Sequence, residues 1–146
     1  MSKPIFVLNG PNLNLLGTRE PEHYGSVSIG DIEKMCADAA GKLGMQVDFR
    51  QTNHEGTLVD WIQEAGSNAS AIVLNPAAYG HTSIAMYDAI SAISIPVAEV
   101  HVSNIYAREE FRHKTLVSQV ASGTICGFGA HGYTLAIQAV VEIVNR

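Results

Sequence analysis

Apolar residues in this chain fall in short runs separated by stretches of helical spacing. The runs lie at 5–8, 45–51, 71–74, 97–102 and 124–128, and each is short enough to be a strand. Between the first two, Ile29, Ile32, Cys36, Ala39 and Leu43 recur on one helix face, with Ser28 placed as N-cap and Gly44 as stop. Leu58, Ile62 and Ala65 repeat the pattern behind Thr57. Two more helices are predicted over 84–95 and 133–144, and another over 107–120. Strand–helix alternation repeated five times predicts an α/β fold. Its expected form is flavodoxin-like, a five-stranded parallel sheet with helices on both faces, in a single domain over 1–146.

The helix at 84–95 breaks the usual amphipathic rule. Its residues Ile84-Ala-Met-Tyr-Asp-Ala-Ile-Ser-Ala-Ile93 carry one charge, Asp88, and are otherwise apolar or small all round. A helix covering one face of a sheet should have a polar outer side. Its absence predicts that the second side is buried against another subunit.

Bulk composition narrows the partners. The chain has 146 residues, 47% hydrophobic and 16% charged, with a net charge of −5. That acidic balance argues against nucleic acid or an anionic membrane as partner, because both need basic patches. An anionic substrate must then be met locally, by particular arginines or backbone N–H groups. The two cysteines, Cys36 and Cys126, lack metal-ligand spacing and are expected to be reduced, buried thiols. The first nine residues hold one lysine and a short apolar run, too little for a signal peptide or a membrane span. The expected location is the cytoplasm.

Ligands of open parallel sheets bind beyond the carboxyl ends of the strands. The predicted ends run into Asn9-Gly-Pro-Asn12, Gln51-Thr-Asn-His-Glu55, Asn75-Pro-Ala-Ala-Tyr-Gly-His81, Glu99-Val-His-Val-Ser-Asn104 and Gly127-Phe-Gly-Ala-His-Gly132. A single Asn there is usually a turn residue or cap; the group as a whole predicts a polar pocket. Gly127, Gly129 and Gly132 have the form of a dinucleotide fingerprint, but only fourteen residues follow and all are helical in pattern. Tight turning and close helix–sheet packing account for them. The loop from Gly10 to Arg19 lacks the lysine of a phosphate loop and the hydroxyl-rich turn expected for FMN. No histidine pair has ligand spacing with a carboxylate on the same element, so no metal is expected. His113 and Glu109 read as a surface pair. No cofactor is called for.

Two pairs carry chemistry. Glu99 and His101 are two apart in a strand and share a face. A carboxylate beside an imidazole fixes its tautomer and keeps it protonated, which suits a general acid, although a buried structural contact has the same signature. Arg19 and Tyr24 lie in a long polar segment rich in Gly, Pro and Asn, with a lid expected at 18–27.

At this point whole blocks resemble one family. They are Asn9-Gly-Pro-Asn-Leu-Asn-Leu-Leu-Gly-Thr-Arg19 continuing to Tyr24-Gly, Phe49 to Gly56, Asn75 to Ser83, Glu99 to Arg112 and Gly127 to Tyr133. Together, in this order and over essentially the whole chain, they resemble type II 3-dehydroquinate dehydratase. The resemblance implies a flavodoxin-like fold, no cofactor, and a homododecamer built as a tetramer of trimers. It also implies a lyase acting on 3-dehydroquinate to give 3-dehydroshikimate through an enolate.

Carried over by position, Tyr24 corresponds to the base that takes a proton alpha to the substrate ketone, and Arg19 to the lid arginine that favours the tyrosinate. Asn12 corresponds to the residue holding a water against the enolate. His101 corresponds to the acid that protonates the departing hydroxyl, with Glu99 orienting it. Asn75 and the backbone N–H groups of Val102 and Ser103 correspond to the carboxylate pocket, and His81 and Arg112 to groups on the substrate hydroxyls. Asp88 corresponds to a residue lent by a neighbouring subunit. The energetics are feasible. Bringing a phenol of reference pKa near 10 into service near neutral pH takes roughly 3–4 kcal/mol. One cation at about 4 Å supplies on the order of 4 kcal/mol at an effective dielectric of about 20, provided that the lid closes and excludes water.

Gly80 stands where the family usually has Thr, Tyr87 where a basic residue is common, and His23 where an aliphatic one is usual. None removes a chemical role. The resemblance implies a place in the shikimate pathway of aromatic amino acid biosynthesis, with the same reaction in quinate breakdown as the alternative. Two other classes compete: a non-catalytic flavodoxin-like module for a nucleotide or flavin, and a purely structural oligomer.

Overall fold

A computed structural model describes residues 2–18 and 26–146. Five parallel strands, β1 (Ile5–Asn9), β2 (Val47–Gln51), β3 (Ala71–Asn75), β4 (Val97–His101) and β5 (Gly123–Cys126), form one sheet in the order β2-β1-β3-β4-β5. The flavodoxin-like expectation therefore holds. Four longer helices, α1 (Ile29–Lys42), α2 (Glu55–Asn68), α3 (Ile84–Ser91) and α4 (His131–Val144), cover the two faces. Strand order reverses at β1, so the connections leaving β1 and β3 lead to helices on opposite faces, the arrangement that opens a crevice at the sheet edge.

Side chains alternate across each strand, and this divides the core in two. Ile5, Val7, Ala71, Val73, Ala98 and Val100 pack with α1 and α4. Phe6, Leu8, Ile72, Leu74 and Val97 pack with α2 and α3. Extending the alternation by one position puts Asn9 and Asn75 on the first face, and Glu99 and His101 on the second. All four are buried although polar, so each needs a partner.

Local chemistry explains most boundaries. Ser28 caps α1 in a reciprocal capping box with Asp31, and Gly44 adopts φ 75° just beyond its end. The second helix starts earlier than the Thr57 cap implied: it begins at Glu55 with His54 in the cap position. The Thr52 hydroxyl accepts from the His54 N–H at 3.1 Å, so the turn is closed upstream of Thr57. Helix α3 stops at Ser91, short of residue 95, because Pro96 disfavours helical geometry in the residue before it and the chain must turn into β4.

The helix expected over 107–120 is absent. That stretch forms isolated 3-10 turns, Ile105–Ala107, Glu110–Arg112 and Val117–Gln119. Its backbone is engaged elsewhere: Leu116 N–H donates to the Gly80 carbonyl at 2.8 Å, and the Lys114 carbonyl accepts from His81. Phe111, in the second of these turns, is 68% exposed. The expected Glu109–His113 pair is likewise replaced. Glu109 bonds Arg112, and His113 Nε2 donates to the Arg108 carbonyl. Cys36 is buried, and burial pushes its thiol up to about 12; Cys126 is only half-buried, and both are free.

The three glycines after β5 do what packing requires. Gly127 and Gly129 take φ 96° and 62°. A Cβ on Gly132 would lie 3.1 Å from Val100 Cγ2, so the glycine lets α4 sit close on the sheet.

Candidate active site

A cavity of about 180 Å³ opens beyond the carboxyl ends of β1, β3 and β4, at the switch point where such sheets bind ligands. Among the expected residues, Asn12, Asn75, His81 and His101 line it, with Val102, Ser103 and Arg112 completing the polar wall. Leu13, Leu16, Ala77 and Ile105 supply apolar surface. Glu99 lies behind His101 rather than on the wall. Asp88 is exposed on α3 and does not line the cavity. Arg19 and Tyr24, with most of the expected lid, lie outside the described residues.

The imidazoles are prepared differently. His101 Nε2 donates to Glu99 Oε2 at 2.6 Å, which leaves Nδ1 for a ligand. Glu99 is 0% exposed, and its other oxygen accepts from the Ser118 hydroxyl and, at 3.2 Å, from Thr124. Thr124 is the register partner of Glu99 on β5, while Ser118 comes from the last 3-10 turn. Burial pushes the Glu99 carboxyl up. The bond and charge of His101, with the two hydroxyls, outweigh burial and hold it below its ordinary value. His81 lies on a helical turn, Tyr79–Thr82, and its ring stacks on His101 with centroids 5.9 Å apart. Burial is the main cause that lowers the His81 pKa, helped by the charges of His101 and Arg112. Its Nδ1 donates to the Lys114 carbonyl at 2.9 Å. A neutral ring with Nδ1–H has an acceptor at Nε2. The pair thus combines an acceptor suited to a hydroxyl with a ring suited to give up a proton.

Asn12 and Asn75 bring amides to the same cavity, and a buried chain of hydrogen bonds stands behind Asn75. Asn75 Nδ2 donates to Tyr133 Oη at 2.9 Å, and Asn75 Oδ1 accepts from the Ala77 N–H at 3.1 Å. Tyr133 Oη–H donates to Asn9 Oδ1 at 2.6 Å, and Asn9 Nδ2 donates to the Arg50 carbonyl at 3.0 Å. Asn12 sits at φ 69° with its N–H on Asn53 Oδ1 at 3.0 Å, and its side chain makes no cap bond to the following turn. The chain approaches itself closely here. A Cβ on Gly10 would fall 2.5 Å from the Pro76 carbonyl oxygen, and Ala77 is held at φ 51°. Such left-handed non-glycine geometry costs of order 1 kcal/mol and survives only where neighbours enforce it. Gly80 is buried against Pro76, whose Cγ lies 2.7 Å from where its Cβ would be. A threonine there would require that proline to move.

Sequence reasoning missed Arg108. It lines the cavity and donates to Ser103 Oγ at 3.3 Å. A second arginine four residues before Arg112, in an acidic protein, was the available signal. Tyr133 was missed as a support of the site, because it lies in the apolar stretch of α4 where a polar atom reads as incidental; Asn9 was expected at the polar strand edge, but not as its partner. Among the described residues, no three His, Cys, Asp or Glu side chains come together as a metal would require.

Comparison with known proteins agrees with the geometry. Residues 3–141 match the family model described as dehydroquinase class II. The 3-dehydroquinate dehydratase of Rhizobium meliloti (strain 1021) is 60% identical over 146 residues, covering 100% of this chain and 99% of the relative. The protein named 3-dehydroquinate dehydratase 1 from Agrobacterium fabrum is 60% identical over 143 residues, covering 98% and 99%. Among solved structures, the type II dehydroquinase of Propionibacterium acnes superposes with a TM-score of 0.93 at 45% identity, over 97% of this chain and 98% of that one. The resemblance first carried by five blocks of sequence thus extends over nearly the full length and through the fold, and this chain belongs to the class II dehydroquinase family.

Proposed function

We propose that this chain is a hydro-lyase that removes water from 3-dehydroquinate in an anti-elimination, giving 3-dehydroshikimate through an enolate. The observation that carries the chemical reading is the buried Glu99–His101 pair on the wall of the cavity beyond β4, with the amides of Asn12 and Asn75 at the same cavity. In this reading the tyrosinate of Tyr24, favoured by Arg19, takes the proton alpha to the ketone. The electron pair left behind forms the enolate, which a water held by Asn12 stabilises. The enolate collapses to the conjugated enone as the β carbon–oxygen bond breaks, and His101 protonates the departing hydroxyl so that water leaves. Glu99 orients His101 throughout. Asn75, with the N–H groups of Val102 and Ser103, receives the substrate carboxylate, and His81 and Arg112 bind hydroxyls.

We further propose that the working form is a homododecamer in which Asp88 completes a neighbour's site. Support comes from α3, where Ile84 is 67% exposed on a helix with little polar surface, and from the position of Asp88 outside its own cavity. The reaction is assigned to the cytoplasm, which cell fractionation tests.

The deciding experiment is an ultraviolet assay for the enone product. Wild type should form it, and Tyr24→Phe should lose turnover while keeping substrate affinity. Normal kcat in that variant removes Tyr24 as base. Borohydride added with substrate should leave activity intact; covalent trapping on a lysine would show an imine route instead.

A further inference from the structure

An asparagine side chain has two ends of nearly equal shape and opposite polarity. Nothing in its shape tells Asn75 which end to present to the cavity, yet an N–H attracts a carboxylate and a C=O repels it. The surrounding bonds remove that freedom. They begin at the Arg50 carbonyl, which can only accept, so Asn9 must turn Nδ2 toward it and Oδ1 toward Tyr133. Tyr133 has one hydroxyl proton and spends it on Asn9, so its oxygen can only accept from Asn75. At the far end the Ala77 N–H can only donate, which holds Asn75 Oδ1 against the backbone. Each end of the chain is a peptide group that cannot reverse. One N–H of Asn75 remains, and Asn75 lines the cavity.

We propose that Tyr133, which does not itself line the cavity, is a positioning residue that fixes the polarity of Asn75 so that an N–H faces a ligand carboxylate. The inference rests on the reading of Asn75 as part of the carboxylate subsite. It follows from tertiary structure throughout. Asn9 and Asn75 are register partners on β1 and β3, on the face where α4 packs. Tyr133, 0% exposed in the first turn of α4, is delivered between them. Burial pushes its phenol well up, so it stays a neutral hydroxyl able to donate and accept at once. Without the hydroxyl, Asn75 Nδ2 loses its acceptor, and only the Ala77 N–H still favours the present orientation of the amide.

The test compares two ligands on four proteins. The ligands are a saturated polyhydroxycyclohexane carboxylate and its uncharged carboxamide. The proteins are wild type, Tyr133→Phe, Asn9→Ala and Asn75→Ala, with affinities measured by calorimetry and turnover by enone absorbance. Wild type should prefer the carboxylate. In Tyr133→Phe that preference should fall about tenfold, KM should rise by a similar factor, and kcat should stay within about twofold, as for loss of uniform binding. Asn9→Ala, which frees the tyrosine proton to turn toward Asn75, should shift the preference in the same direction and covers the case in which Tyr133→Phe fails to fold. A purely structural role would weaken both ligands alike, so an unchanged preference in a folded Tyr133→Phe or Asn9→Ala overturns the proposal. If wild type shows no preference, or Asn75→Ala keeps it, the carboxylate reading of the subsite is what fails, and the proposal falls with it.

Discussion

The two faces of one sheet edge solve the same problem by different means. On the α1 and α4 face, Asn9, Tyr133 and Asn75 form a neutral relay in which every group is held by the direction of its hydrogen bonds. On the α2 and α3 face, the Glu99 carboxylate is held by the His101 ring at 2.6 Å, with Ser118 and Thr124 on its other oxygen. Both sets are buried. The neutral relay fixes orientation and never changes protonation state, which suits a subsite that only binds. The Glu99–His101 pair joins two titratable side chains, which suits a place where a proton must be given up. A single cavity between them can therefore hold a substrate rigidly on one side and change its protonation on the other.

Breaking the Glu99–His101 side should have the largest effect. Glu99→Gln keeps shape and removes charge, and kcat should drop on the order of 100-fold, about 2.7 kcal/mol of barrier, read from the enone assay. Stability should show the linkage too. The Glu99 carboxyl is held below its ordinary 4.5 in the folded state, so its contribution is fully present above that pH. It is lost as pH falls through the folded value, because the unfolded chain takes up the proton first. The stability gap between wild type and Glu99→Gln should be constant above about pH 5 and close below 4.5; a gap that widens on acidification contradicts this sign.

The neutral side should respond to charge more than to shape. Asn9→Asp sets an acceptor against the Arg50 carbonyl, where a donor now sits at 3.0 Å, in a site with 0% exposure. The expected cost is about 1–3 kcal/mol at neutral pH, and smaller near pH 4 where a protonated carboxyl can donate again. Denaturant unfolding at the two pH values measures it, and equal losses would mean that the relay is not polarity-dependent. The smallest effect is expected at Ala77. Replacing it by Gly relieves the left-handed φ of 51° and should change stability by only about 0.5–1 kcal/mol, in the stabilising direction. A loss in thermal unfolding would show that the methyl group matters more than the backbone angle.

Much of this arrangement was legible before folding. Strand periodicity put Glu99 and His101 on one face, because spacing of two is enforced by the pleat wherever the strand lies. The strand-end amides were visible as a polar edge for the same reason. What failed was local reading of 107–120, where helical spacing was present but the backbone groups of Lys114 and Leu116 were claimed by His81 and Gly80. Thr57 looked like a cap because its type is right, and it lost to a turn closed earlier by Thr52. In both cases a short-range preference of roughly 1 kcal/mol or less met a tertiary bond of similar or greater worth.

The sequence by itself therefore determined the alternating fold, the strand ends that carry chemistry, and the family. These depend on periodicity and on residue types in order, which need no knowledge of what packs against what. Only the tertiary structure decided that Tyr133 would meet Asn9, 124 positions away, that Ser118 would reach Glu99, and that Asp88 would lie outside the lining of its own cavity. Those are contacts between elements distant in the chain, and their geometry is set by sheet order and helix packing. No local pattern encodes them.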